Sequence, residues 1–195
     1  MAAGDSSTSI CNIALIALGE DPIKNLSENN KRAILCNARY NDIRRSMLFS
    51  HTWAFAKKQA QLAADPTSPP FTWQWRYRTP DDFIRFYNEP QQDLSIWEIM
   101  ADDTGATFIY ANDEPPFQCV YVYDCQDPTK FDPGFVQALA FEIASELAIS
   151  LTQNSQRAQQ GLQMMEGKLA MARFAGAQQM APKEWDVDIL LRSRR

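Results

Sequence analysis

The spacing of apolar residues changes twice along the chain and divides it into three stretches. From Ser7 to Leu18, Ile10, Ile13, Ala14, Ala17 and Leu18 recur at intervals of three and four, the stripe of a core-facing helix. Ser6 or Ser7 can cap its start, and Gly19 followed by Pro22 ends it. A second helix is predicted over about 28–49, with Cys36, Tyr40, Ile43 and Met47 on one face and Arg39, Arg44 and Arg45 mostly off it. The period then drops to two. Trp53 and Phe55 alternate with small or polar residues, as do Phe71, Trp73, Trp75 and Tyr77, and again Phe117, Cys119, Tyr121 and Tyr123. Between them, Trp97–Ile99 and Phe108–Tyr110 flank the turn-like Asp102-Asp103-Thr104-Gly105, which predicts a hairpin.

Helical spacing resumes at Asp132-Pro133, an acidic N-cap followed by a proline whose missing N–H costs nothing at the first helical position. Val136, Leu139, Ala140, Ile143 and Leu147 form its stripe. A short loop near Gln153-Asn154-Ser155 leads to a predicted last helix of about 157–179, with a seam of Ala158, Leu162, Met165, Leu169, Ala172 and Gly176. After Pro182 comes an arm in which Trp185, Val187 and Ile189 alternate with acids, followed by Leu190, Leu191, Arg192, Arg194 and Arg195. The expected fold class is α+β. A four-helix body, two helices N-terminal (1–50) and two C-terminal (132–180), carries an inserted antiparallel β-rich subdomain (51–131) and an extended C-terminal arm (181–195).

Composition supports this division. Residues 51–131 hold 16 of the 22 aromatics, and 65–133 hold nine of the eleven prolines. With 195 residues the chain can bury a core without a disulfide or metal staple. Cys11, Cys36, Cys119 and Cys125 have neither C-x-x-C nor zinc spacing, and the first three lie on apolar stripes. They are expected to be reduced structural thiols of a protein made in a cytoplasm. The uncharged run Ser6–Gly19 is too short to span a bilayer and lacks a preceding cation, so neither a signal peptide nor membrane insertion is expected.

The net charge of −5 conceals a strong asymmetry. Residues 91–132 carry nine acids and one base, Lys130, so this segment is −8 while the rest is +3. Electrostatic grip on a phosphate backbone needs clustered cations, so the balance argues against it. The aromatic-basic stretch 71–78 could stack single-stranded nucleic acid, yet strict alternation is what any half-buried strand shows. Paired carboxylates could serve a tail-associated lytic, glycan-cleaving enzyme, but adjacent acids in turns are ordinarily solvated loop chemistry. His51 is the single histidine and has no neighbouring nucleophile or acid in sequence. No P-loop, dinucleotide fingerprint or zinc-protease motif occurs, and no catalytic, metal or cofactor residue is expected.

Four segments, in order and at suitable spacing, resemble the head–tail adaptor family of short-tailed bacteriophages, tail tubular protein A. They are the helix closed by Leu18-Gly19-Glu20-Asp21-Pro22-Ile23, the stretch IRRSMLFSHTWAFAKKQAQLA (43–63), FTWQWRYRTPDDFIRFYN (71–88), and FDPGFVQALAFEIASELAISLTQN (131–154) with the Ala-rich helix after it. Where the family often shows His-Pro-Trp, this chain has His51-Thr52-Trp53. The resemblance covers about residues 8–180 and leaves the arm uncovered. It implies a non-catalytic virion protein at the head–tail junction, assembled in the host bacterial cytoplasm. Its partners would be copies of itself in a ring, usually of twelve and formed on the portal, together with the portal protein, a tail nozzle and in some phages tail fibres. DNA would pass through without specific binding. Two surfaces are then candidates for function: the arm (Trp185, Val187, Ile189, Leu190, Leu191, Arg192, Arg194, Arg195), reaching a neighbour or the portal, and an acidic channel or docking surface (Asp93, Glu98, Asp102, Asp103, Asp113, Glu114).

Overall fold

A computed structural model of the protein describes residues 6–69, 71–87 and 97–152, with the isolated positions Gln156, Gln159, Gln163 and Gly167. The architecture is mixed helix and sheet. In chain order the elements are α1 (Ser7–Ala17), α2 (Lys31–Ser50), β1 (Lys57–Leu62), β2 (Trp75–Arg78), β3 (Phe83–Phe86), β4 (Trp97–Ala101), β5 (Thr107–Ala111), β6 (Phe117–Tyr123) and α3 (Pro133–Thr152). Short 3-10 turns at Ala54–Ala56 and Pro128–Lys130 precede β1 and α3.

The helix ends follow from local chemistry. Ser6 and Ser9 form a reciprocal capping box at the start of α1. At its end the Glu20 N–H donates to the Leu15 carbonyl and the Gly19 N–H to that of Ile16, with Gly19 at φ 76°. That double bond pattern requires a left-handed residue, which glycine supplies without a Cβ clash. Asn12 then holds the departing chain, its side-chain amide exchanging two hydrogen bonds with the backbone of Ile23. The start of α2 lies at Lys31 rather than 28, because Asn30 accepts from the Ala33 N–H while Glu28 is occupied by the backbone of Lys24 and Asn25. Asp132 caps α3 as expected, accepting from the Phe135 N–H at 2.7 Å.

Among the described residues there are three α-helices, which corrects the expected four-helix body. The predicted last helix lies outside the described residues except for Gln159, Gln163 and Gly167, which are helical and exposed. The three helices share a core with residues from the β region. Trp53, Ala56, Val122, Cys125 and Phe131 are buried in one cluster with Ile10, Leu15, Leu48, Phe135, Leu139 and Ile143. α3 packs on both α1 and α2 and is long and apolar enough to cross a membrane, but most of its apolar residues are buried in this core. Arg39 to Glu146, and Lys31 to the Ser150 carbonyl, tie α2 to α3.

The strands form two three-stranded antiparallel sheets, ordered β1-β6-β3 and β2-β5-β4, with an isolated bridge between Ala64 and Tyr77. Tyr77, Phe86, Ile109, Ala111, Phe117, Cys119 and Tyr121 make a second buried cluster, with Trp75, Phe83 and Trp97 packed against it. The expected hairpin is present as β4 and β5. Two strand expectations need correction. Phe71–Gln74 is not strand: Thr72 sits at φ 70° and Phe71 is 76% exposed, so the alternation begins only at Trp75. Trp53 and Phe55 belong to a 3-10 turn that presses both rings toward Phe135, 5.0 and 5.1 Å away.

β6 serves both cores. Phe117, Cys119 and Tyr121 enter the inter-sheet cluster, whereas Val122, on the opposite face, enters the helical one. Just beyond it, Arg44 of α2 is buried at 2% exposure, not turned to solvent as its helical position suggested. It donates to the Asp124 carboxylate at 2.5 Å and the Cys125 carbonyl at 2.6 Å. Arg85 of β3 makes a second tie, to the Phe49 carbonyl and the Thr52 hydroxyl. Removing one member of a buried pair strands the other charge, which typically costs about 3–5 kcal/mol. Arg44→Ala should lose stability in that range by urea unfolding, while Arg39→Ala, whose ion pair is exposed, should lose about 1 kcal/mol or less.

Candidate functional site

The acidic candidates are built around the β4–β5 hairpin, so its turn chemistry comes first. Asp102 is committed to the turn. Its Oδ1 accepts from the Thr104 hydroxyl and from the backbone N–H groups of Thr104 and Ala106. Gly105, at φ 82°, donates its N–H to the Asp102 carbonyl. The Thr104 hydroxyl holds the Asp102 carboxyl below the usual aspartate range, against the opposing effect of desolvation.

Arg76 of β2 organises the same region. Its guanidinium donates twice to Asp65 Oδ1, at 2.8 and 2.9 Å, lies 3.7 Å from Asp102, and sits over the Phe108 ring. The outward face of β5 would otherwise leave Phe108 and Tyr110 uncovered in solvent; both are 5% exposed. Arg76 therefore covers aromatic surface with its planar head while neutralising two carboxylates. Its hydrogen bonds hold Asp65 below the usual range as well.

The remaining predicted acids differ in kind. Glu98 is exposed on β4, Asp103 is exposed at the turn, and Glu114 is exposed after β5. Asp113 is half-buried, and its backbone carbonyl accepts the Tyr77 hydroxyl. None of these four carboxylates has an ion-pair partner among the described residues. Residues 97–114 contain five acids and no Lys or Arg. Asp93 and every candidate residue of the arm lie outside the described residues. The hairpin thus carries Asp102 and Asp103 at its turn and Glu98, Asp113 and Glu114 toward its opposite end, and of these five Asp102 is internally neutralised.

Other candidate chemistry is spent on structure. Tyr77 is fully buried and stacked on Phe117 at 5.1 Å, and Arg76 is paired, so the aromatic-basic stretch leaves Phe71 and Arg78 exposed rather than a continuous platform. Burial pushes the Asp82 carboxyl up, but Lys58 and the Tyr121 hydroxyl outweigh it and hold it low. His51 caps the end of α2 and meets the Trp53 ring edge-on at 4.8 Å. The four cysteines are free and buried, with the Cys119 thiol pushed up to about 11 by desolvation. Among the described residues no three His, Cys, Asp or Glu side chains converge as a metal site.

No family model matches the chain, and no curated protein matches it.

The signal that sequence reasoning lacked is the partner. Charge counting locates the acids, but which of them is neutralised depends on Arg76 from a different strand. Because the folded carboxyls of Asp65 and Asp102 are depressed, their contribution is complete above the unfolded range and lost as pH falls through it. Stability measured by urea unfolding should be flat above about pH 5 and decline below about pH 4. Arg76→Leu should shallow that decline.

Proposed function

We propose that the chain is a structural, non-catalytic adaptor of a phage head–tail junction, assembling as a ring between portal and tail nozzle. The observation that carries this reading is the joining of two differently charged docking bodies by a buried ionic weld. α2 holds five cations against one acid, with Arg32, Arg39 and Arg44 paired within the subunit, whereas the hairpin presents four carboxylates without an ion-pair partner among the described residues. The order and spacing of the four family-like segments support the same reading.

In this arrangement the helical part faces the portal and the sheets face the nozzle. A ring of like subunits needs two different surfaces on each copy, because its contacts are head-to-tail. The exposed Ile16, Ile34 and Ile149 provide apolar surface on all three helices, and Ile99 provides it on the hairpin. An unpaired acidic wall also suits DNA transit, since like charge gives no counterion release to hold the duplex.

Mixing the purified protein with portal assemblies and imaging by electron microscopy tests the reading. Added density forming a closed ring on one face of the portal is expected, with no clearing of peptidoglycan and no retardation of DNA. Failure to decorate portal at tens of micromolar would remove the adaptor reading. Peptidoglycan clearing abolished by neutralising a carboxylate pair would replace it with the lytic one.

A further inference from the structure

We infer that the free edge of β4 is a docking site for the C-terminal arm, residues 185–195, of a second copy of this chain, added as an antiparallel strand. The inference takes its partner, a second copy, from the adaptor reading; its chemistry stands on the sheet edge and the arm.

β4 ends the sheet order β2-β5-β4, and its outer edge carries no backbone hydrogen bond among the described residues. An open edge of unpaired N–H and C=O groups is a template for an added strand. On the face toward the second core, Tyr77, Ile109 and Ile99 stand in register across the three strands. The first two are fully buried, while Ile99 is 36% exposed, so the apolar row stops one strand short of being covered.

The arm has the complementary pattern. Trp185, Val187 and Ile189 alternate with Asp186 and Asp188 at period two, which is strand spacing, and Arg192, Arg194 and Arg195 follow. Setting Ile189 beside Ile99 in the antiparallel sense pairs Glu98 with Leu190 and Met100 with Asp188, so no like charges oppose within β4; Asp186 falls opposite Asp102, the turn carboxylate already met by Arg76. The parallel sense would set Glu98 against Asp188, which is destabilising. Antiparallel pairing also carries the arginines past Trp97. Because Trp97 pairs with Ala111, that end of the sheet is where the unpaired Asp113 and Glu114 follow. With 157–179 helical as the sequence predicts, the 32 residues between Thr152 and Trp185 span up to roughly 65 Å, enough to reach a neighbouring copy.

Disulfide trapping in the full-length chain tests this, since the four native thiols are buried and give little background. Ile99→Cys protein is mixed with Ile189→Cys protein at about 100 μM under mild diamide oxidation, and covalent dimer is read on a non-reducing gel. Dimer should form at least tenfold faster than in a control mixing Phe71→Cys with Ile189→Cys. Ala101→Cys should trap Val187→Cys and not Leu191→Cys, which reports the antiparallel sense. Glu98→Lys with Glu114→Lys, placed in the Ile99→Cys chain, should slow trapping about tenfold, and Arg192→Glu with Arg194→Glu in its partner should restore it. The inference is overturned by trapping no faster than the control, by trapping of Leu191→Cys in preference to Val187→Cys, or by charge variants that leave the rate unchanged. Rings on portal without Ile99–Ile189 trapping would retire arm docking and leave the adaptor reading intact. Trapping without rings would do the reverse.

Discussion

The fold depends on a guanidinium placed where water cannot solvate it. Arg44 is 2% exposed, and a buried cation is tolerated only when its charge is met; both of its hydrogen bonds come from Nη1, while its Nε has no partner among the described residues. Asp124 supplies the charge and the Cys125 carbonyl supplies a second acceptor, both from the short connection that leads β6 back toward α3. The contact ties α2 to the end of β6 in one register, because the acceptors are a side chain and a backbone oxygen on consecutive residues. An apolar contact would hold the two parts together equally well without setting their register. The same requirement explains Val122, whose side chain enters the helical core two residues before the pair.

Much of this architecture was legible along the chain. The caps of α1 and α3, the stripe of α2, the β4–β5 hairpin and the alternation of β6 all express local preferences that tertiary structure leaves in place. The misreadings share a cause. β1, with the sequence KKQAQL, is an edge strand whose inward positions reduce to Ala60 and Leu62 under Lys58, so it shows almost no apolar period. Phe71 and Trp73 continue an alternation that the backbone abandons at Thr72. Arg44 falls off the apolar stripe of α2, and its burial depends on an acid 80 residues away. Periodicity reports which side of an element is apolar. It cannot report a polar side chain drawn inward by a distant partner.

The acidic region shows the same limit at the level of the candidate surface. The segment's charge was countable, and its position on a hairpin followed from the turn residues. The division of labour within it was not. Asp102 has the same charge as Asp103 and sits next to it, yet one is held by three turn hydrogen bonds and Arg76 while the other is exposed. Neutralising the innermost carboxylates allows the hairpin to fold despite its net charge. The outer ones then remain as an unrelieved field at its surface.

That field bears on how the hairpin can act. Mutual repulsion among Glu98, Asp103, Asp113 and Glu114 weakens the isolated hairpin slightly, and the penalty disappears when cations approach. The cations of α2 behave differently, because Arg32, Arg39 and Arg44 already meet acids of the same copy. The two charged bodies are therefore unequal: the helical one is largely compensated within the subunit, and the hairpin is not. A surface left uncompensated gains most from a partner carrying the opposite charge, whereas a channel wall facing DNA gains nothing from the acids beyond the absence of adhesion. Edge position adds to this asymmetry. β4 itself carries one acid, Glu98, and the acids at the two ends of the hairpin repel an identical hairpin at longer range while leaving the edge open to a strand followed by arginines. The charge pattern thus admits a head-to-tail contact between copies and disfavours a symmetric one, as a closed ring requires.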